Sequence, residues 1–215
     1  MQVLSVNVGV PRQVIWNGAA VSTSIFKDPV QSPVIIKELN LVGDRQADLT
    51  VHGGTQKAVY GYPVEHYPYW QRELPGTDLS YGNFGENLTT QGLLEEDLCI
   101  GDRLRVGSAI LTVTQPRTPC YKLGIRFGRD DMIKRFLASG YSGFYFSVTQ
   151  EGEVEPGSKI EILSRDPNRV LVADINRLYV SKMPELSLLE RSLNVSALPQ
   201  PWKDWLAARS HARQR

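Results

Sequence analysis

The run Gln115-Pro116-Arg117-Thr118-Pro119-Cys120 sets one of only two cysteines in a proline-stiffened loop beside a cation. Each proline fixes its own φ, restricts the residue before it and lacks a backbone N–H, so the loop resists regular structure and holds Thr118 and Cys120 rigidly. A guanidinium such as that of Arg117 favours thiolate over thiol, and thiolate is the form that attacks electrophiles and binds soft metals. Cys120 is therefore a candidate ligand or nucleophile. The ordinary alternative is an inert small hydrophobe, and Cys99, in the apolar run Leu98-Cys99-Ile100, fits that description.

A second stretch runs from Gly43-Asp44-Arg45-Gln46 through Val51-His52-Gly53-Gly54 to Lys57. Paired glycines let successive backbone N–H groups converge on an anion, and a lysine three residues on adds a point charge. It is not a Walker motif, because the glycine spacing and the Gly-Lys-Ser/Thr ending are missing. A plain hairpin turn is the competing reading. His52 is the first candidate proton donor, since its ordinary pKa lies near neutral, although a lone histidine before a turn is commonly structural. The three histidines show no metal-binding spacing. A third stretch, Gly82-Asn83-Phe84-Gly85-Glu86-Asn87-Leu88, gathers amides and glycines, and Asn87 can both donate and accept, which suits a heterocycle edge or a self-bonded turn.

The elements that must position these groups are mostly strands. From the N-terminus to about Ser164, short β-type segments alternate with glycine, proline and aspartate, which predicts a barrel or sandwich. Two similar entries, Gly101-Asp102 before Leu104-Arg105-Val106 and Gly157-Ser158 before Ile160-Glu161-Ile162, suit a meander. At most two helices are expected here. One spans Asp130 to Ser139 with Asp130 as cap and Gly140 as stop; the other follows Pro63 and is kinked or split at Pro68. His66 reads as a packed polar tip, and Glu95-Glu96-Asp97 as a solvated acidic face. Beyond Asn168, apolar positions Ile175, Leu178, Tyr179 and Met183, then Leu186, Leu189 and Leu193, then Trp202, Trp205 and Leu206 predict three short helices. The closing Arg209, His211, Arg213 and Arg215 read as a solvated basic end.

The 24 basic and 23 acidic residues leave a net charge of +1, so nothing global directs the chain to nucleic acid or an anionic membrane. No apolar stretch is of bilayer-spanning length. The N-terminal Met1-Gln2-Val3-Leu4-Ser5-Val6 alternates like a strand rather than a signal peptide, and two cysteines suit a reducing compartment, so cytoplasm is the expectation. Nucleophile-elbow, dinucleotide and Cys-x-x-Cys motifs are all missing.

In order along the chain, Gly43-Asp44-Arg45-Gln46, Val51-His52-Gly53-Gly54, Lys57-Ala58-Val59-Tyr60, Phe84-Gly85-Glu86-Asn87-Leu88 and Gln115-Pro116-Arg117-Thr118-Pro119-Cys120 closely resemble the MOSC domain family, in its bacterial YiiM-like branch. The resemblance implies a mainly β fold with some helices, a MOSC-type β-barrel over residues 1–168, followed by a three-helix C-terminal domain over 169–215. It implies molybdenum cofactor of the molybdopterin type, with Cys120 as the protein ligand to the metal and Arg45, His52, Gly53, Gly54, Lys57, Asn87, Arg117 and Thr118 among the cofactor contacts. Relatives include the C-terminal domain of molybdenum cofactor sulfurases and the mitochondrial amidoxime reducing component. By that analogy Cys120 and His52 serve in two-electron reduction of N-hydroxylated compounds such as hydroxylaminopurines. Electrons would come from a separate flavin or iron–sulfur reductase, since the chain has no cysteine set for a cluster. A monomer or homodimer is expected. Non-catalytic cofactor carriage, sulfur transfer through a Cys120 persulfide and a Cys120–His52 hydrolase are the alternatives.

Overall fold

In a computed structural model, which describes residues 1–47 and 53–213, a sheet of eight strands carries the molecule. The strands are β1 (Gln2–Val8), β2 (Arg12–Trp16), β3 (Ala19–Thr23), β4 (Asp28–Val30), β5 (Val34–Ile36), β6 (Val59–Pro63), β7 (Leu88–Gln91), β8 (Arg103–Val106), β9 (Ala109–Pro116), β10 (Phe144–Gln150), β11 (Gly152–Val154) and β12 (Ile160–Ser164). The helices are α1 (Tyr67–Glu73), α2 (Tyr121–Phe127), α3 (Met132–Ser139), α4 (Val172–Val180), α5 (Leu186–Leu193) and α6 (Gln200–Arg213). About 31% of residues are strand and 27% helix, so the fold is mixed α/β on a β scaffold.

The large sheet runs β12-β8-β9-β10-β6-β7-β1-β4, with β2–β3 and β5–β11 as separate pairs. All neighbours in it are antiparallel except β6 and β7. The two similar turn-and-strand entries become partners, since β8 pairs with β12. The expected closed barrel is not formed as a continuous ladder, because β12 and β4 are its edges. What approaches closure is a short seam, in which the Val3 N–H donates to the Ser158 carbonyl at 2.9 Å and the Ile160 N–H to the Met1 carbonyl at 3.0 Å.

Proline placement explains α1. A 3-10 turn over Val64–His66 leads into the helix, and Pro68 falls in its first turn, where an absent N–H costs nothing. The element is thus in two pieces, as the sequence predicts. α3 ends at Gly140, whose φ of 71° is the left-handed value that favours glycine, while Asp131 rather than Asp130 stands at its start. α2 exceeds the limit of two helices expected before residue 165. Its seven residues include Gly124 and no side-chain cap, so local signals are weak; burial of Leu123 and Ile125 holds it instead.

The last three helices are joined to the sheet by backbone and core alike. The Ile100 N–H donates to the Val170 carbonyl at 2.8 Å, and Val172 and Ala173 donate to Leu98 and Glu95, each at 2.9 Å. Ile175, Leu178, Leu188, Leu189, Trp202 and Leu206 belong to the same buried cluster as Val3, Val113 and Phe146. α4 stops at Val180, with Ser181 extended, so Met183 leaves the apolar face assigned to it and stands 75% exposed. Arg209 is also not simply solvated: it donates to the Ser181 carbonyl and lies 4.8 Å from the centre of the Trp205 ring. Among the described residues no helix is long and apolar enough to cross a membrane.

Candidate functional site

β9 delivers the proline loop. Antiparallel pairing with β10 runs to Phe144–Pro116, after which Arg117 turns inward, Thr118 is exposed, and Cys120 takes an extended backbone directly before α2. Beneath this loop lies a cleft of about 690 Å³, counted out to its open mouth. Cys120, Thr118, Arg117, Lys57 and Asn87 all line it. These five come from three separated sequence stretches, and the fold brings them to one place.

The cleft is cationic. Among the described residues, Lys27, Lys57, Arg117 and Lys122 line it against one carboxylate, that of Asp44. Lys57 closes the 3-10 turn Thr55–Lys57, which Gly54 precedes at φ 86°. Burial lowers the Lys57 pKa, while the neighbouring Cys120 works in the opposite direction. Arg117 is 7% exposed; its guanidinium donates to the Phe84 carbonyl and lies 4.8 Å from the Tyr60 ring centre. Burial opposes its charge, but Tyr60, Tyr145 and Cys120 outweigh that and raise its pKa, so it remains a cation.

Asn87 and Asp44 form the frame. The Asn87 side chain accepts the Tyr60 N–H at 3.1 Å and donates to Asp44 Oδ2 at 3.0 Å and to the Asn7 carbonyl at 3.4 Å. Its N–H groups therefore serve the protein rather than a heterocycle edge. Asp44 also accepts the Gly9 N–H at 2.8 Å and the Lys27 ammonium at 2.5 Å. Lys27 is buried, which lowers its pKa, against the pull of Asp44.

Other expected contacts lie elsewhere. The Arg45 side chain is exposed and outside the cleft lining, where Asp44, Gln46 and Ala47 represent that segment; Gly53 and Gly54 are also outside it. His52 falls outside the described residues. His66 is buried and lies 2.7 Å from Glu95 Oε2, stacked on Tyr141 at 3.9 Å. Glu95 is consequently not part of a solvated face: it is 5% exposed and also accepts the Gly143 N–H at 2.7 Å. Sequence reasoning missed Lys27, Asp44, Lys122, Tyr60 and Tyr145 in the cleft. The lysine of Ile25-Phe26-Lys27-Asp28 carries no spacing signal, and only the fold makes it a neighbour of Asp44.

The residues fit a cofactor that brings its metal with it. Among the described residues no three His, Cys, Asp or Glu side chains gather to hold a bare ion. One soft thiolate facing cations suits an anionic organic group carrying a metal already partly ligated. The buried Ser24 hydroxyl, at the cleft wall, has no hydrogen-bond partner among the described residues, as expected where a bound group completes the site.

A model of the MOSC domain matches residues 48–161. YflK of Bacillus subtilis is 44% identical over 201 residues, 94% of this chain and 90% of that protein. A Gibberella moniliformis protein named "Reductase" is 34% identical over 175 residues, 80% of this chain but 31% of that longer protein. The crystal structure of YiiM from Geobacillus stearothermophilus superposes with a TM-score of 0.81 at 33% identity, covering 97% of this chain and 98% of that one.

Proposed function

The chain belongs to the MOSC domain family, which carries a molybdenum-cofactor-related function, and from that premise we propose that it is the terminal component of a system reducing N-hydroxylated compounds to amines. The observation that supports this most directly is Cys120 opening into a cleft lined by Lys27, Lys57, Arg117 and Lys122. When bound, molybdenum cofactor would supply two-electron, oxygen-accepting chemistry. Cys120 would ligate the metal, and Lys57, Arg117 and Lys122 would hold the anionic part of the cofactor, with Lys27 held by Asp44 behind them. Arg117, buried behind the thiol, fixes a positive charge and excludes water from that side. The overall change is R–NHOH plus two electrons and two protons giving R–NH2 and water, with the N–O bond broken. Hydroxylaminopurine-type bases are the substrate class, and a flavin or iron–sulfur reductase is the electron source. The reductase-named fungal relative, in which the matched part is a minor share of the length, agrees with such a system.

Expression in a host that makes the cofactor tests the reading. Metal analysis is expected to find molybdenum in the parent and its loss in Cys120→Ser; a parent without molybdenum overturns the proposal. Reduction of a hydroxylaminopurine with a chemically reduced viologen dye is expected from the loaded protein, whereas cofactor bound without turnover identifies a carrier.

A further inference from the structure

Arg117 belongs to two surfaces. One side of its guanidinium faces the cleft, and it also lines a groove between α3 and α4 with Phe136, Leu137, Ala173, Asn176 and Arg177. That groove continues through Tyr179 and Val180 to the corner between α4 and α5, where Lys182, Met183 and Arg209 complete the lining. Val180 is 58% exposed, and Met183 is the apolar residue the helix pattern could not bury. Apolar groups left this open at one corner mark a contact surface.

The charges on this face have one sign. Its charged groups among the described residues are Arg117, Arg177, Lys182 and Arg209, and no described carboxylate lines either groove. Arg177 is paired at 2.7 Å with Asp174, and Glu185, beyond Pro184, accepts the Ser187 hydroxyl and keeps its charge, so the net positive charge of the face rests on Arg117, Lys182 and Arg209. An acidic partner would find apolar contact ringed by cations, an arrangement that speeds encounter and fixes orientation. The surface also reaches the site by a second route. Tyr179 packs against Trp202, with ring centres 5.6 Å apart, and the Trp202 Nε1–H donates at 2.7 Å to Gln115 Oε1, two residues before Arg117.

We propose that this face, from the α3–α4 groove to the α4–α5 corner, docks an acidic protein electron donor, delivering electrons behind Arg117 while substrate uses the open mouth of the cleft. This rests on the reductase reading. Each turnover takes two electrons from the donor, one at a time for an iron–sulfur protein, and two protons from the buffered solvent; one N–O bond breaks and its oxygen leaves as water.

The test uses the loaded full chain, its Lys182→Glu/Met183→Glu variant, a plant-type [2Fe–2S] ferredoxin as acidic donor, and a reduced viologen dye as a donor that needs no docking. The variant is expected to lose about tenfold in ferredoxin-driven rate and to keep its dye-driven rate, and the parent's ferredoxin-driven rate is expected to fall with added salt. Equal rates for parent and variant with ferredoxin, or parallel losses with both donors, overturn the docking face. So does a parent active with dye and inert with ferredoxin. Absence of dye-driven turnover counts against the reductase reading instead; calorimetric binding of oxidised ferredoxin then decides the surface, which stands if the variant binds about tenfold more weakly and falls if both bind alike or neither binds.

Discussion

Glu86 shows how a single side chain fixes the segment that carries Gly85 and Asn87 to the cleft. It is fully buried, and its carboxylate accepts the Gly82 N–H at 2.8 Å, the Phe84 N–H at 3.0 Å, the Thr89 hydroxyl at 3.0 Å and the Tyr67 hydroxyl at 2.5 Å. Burial pushes its pKa up, and the donors pull against that rise. A carboxamide would turn one acceptor into a donor facing donors, so Glu86→Gln is expected to lower stability by about 1–3 kcal/mol in urea unfolding. The same scale separates what the sequence makes readable from what it hides. Cys120, Arg117 and Lys57 stand out because chemistry-bearing types sit beside residues that restrict or free the backbone, Pro119 in one case and Gly54 in the other. Lys27 and Asp44 do not: they are 17 residues apart, and their pairing exists only after the chain has crossed itself. Asn87 was visible as an amide in a glycine-rich stretch, yet its framing role depends on Asp44 and Asn7, both distant in sequence.

Among the elements, α6 reaches furthest from its own position. The Trp202 indole donates to Gln115, whose side-chain amide donates at 3.3 Å to the Gln56 carbonyl, and Thr114 donates to that same carbonyl at 2.7 Å. α6 thereby holds the strand end before Arg117 and the turn that carries Lys57. Trp202→Phe keeps most of the ring but removes the donor, and is expected to cost about 1 kcal/mol in stability. Faster amide exchange at Gln115 and Arg117 than in wild type checks that the loss acts on this strand end. Strands and amphipathic helices were readable from their periods. α2 was not, because a seven-residue helix with an internal glycine draws its support from Leu123 and Ile125 in the core rather than from caps or propensity. The open ladder was equally hidden, since edge pairing between the first strand and residues near 158 is a property of the assembled sheet.

The molecule as a whole shares one apolar core between the sheet and the last three helices. Removing everything after residue 168 would uncover Val113, Leu98 and Ile100 and leave the Leu98 and Glu95 carbonyls without the N–H groups of Val172 and Ala173. The full chain is therefore expected to melt in one transition, with tryptophan fluorescence and far-ultraviolet dichroism coinciding, and the shortened chain to be aggregated or unfolded. Two separated transitions in the full chain would contradict this. The seam between Met1–Val3 and residues 157–160 carries a consequence for synthesis. β1 is made before its partners: β7 begins at Leu88, and the seam needs Ile160. At bacterial elongation rates the first strand waits on the order of ten seconds for its full set of partners. Until that last strand is made, Val3 and Val6, both buried in the finished sheet, lack the neighbours that cover them.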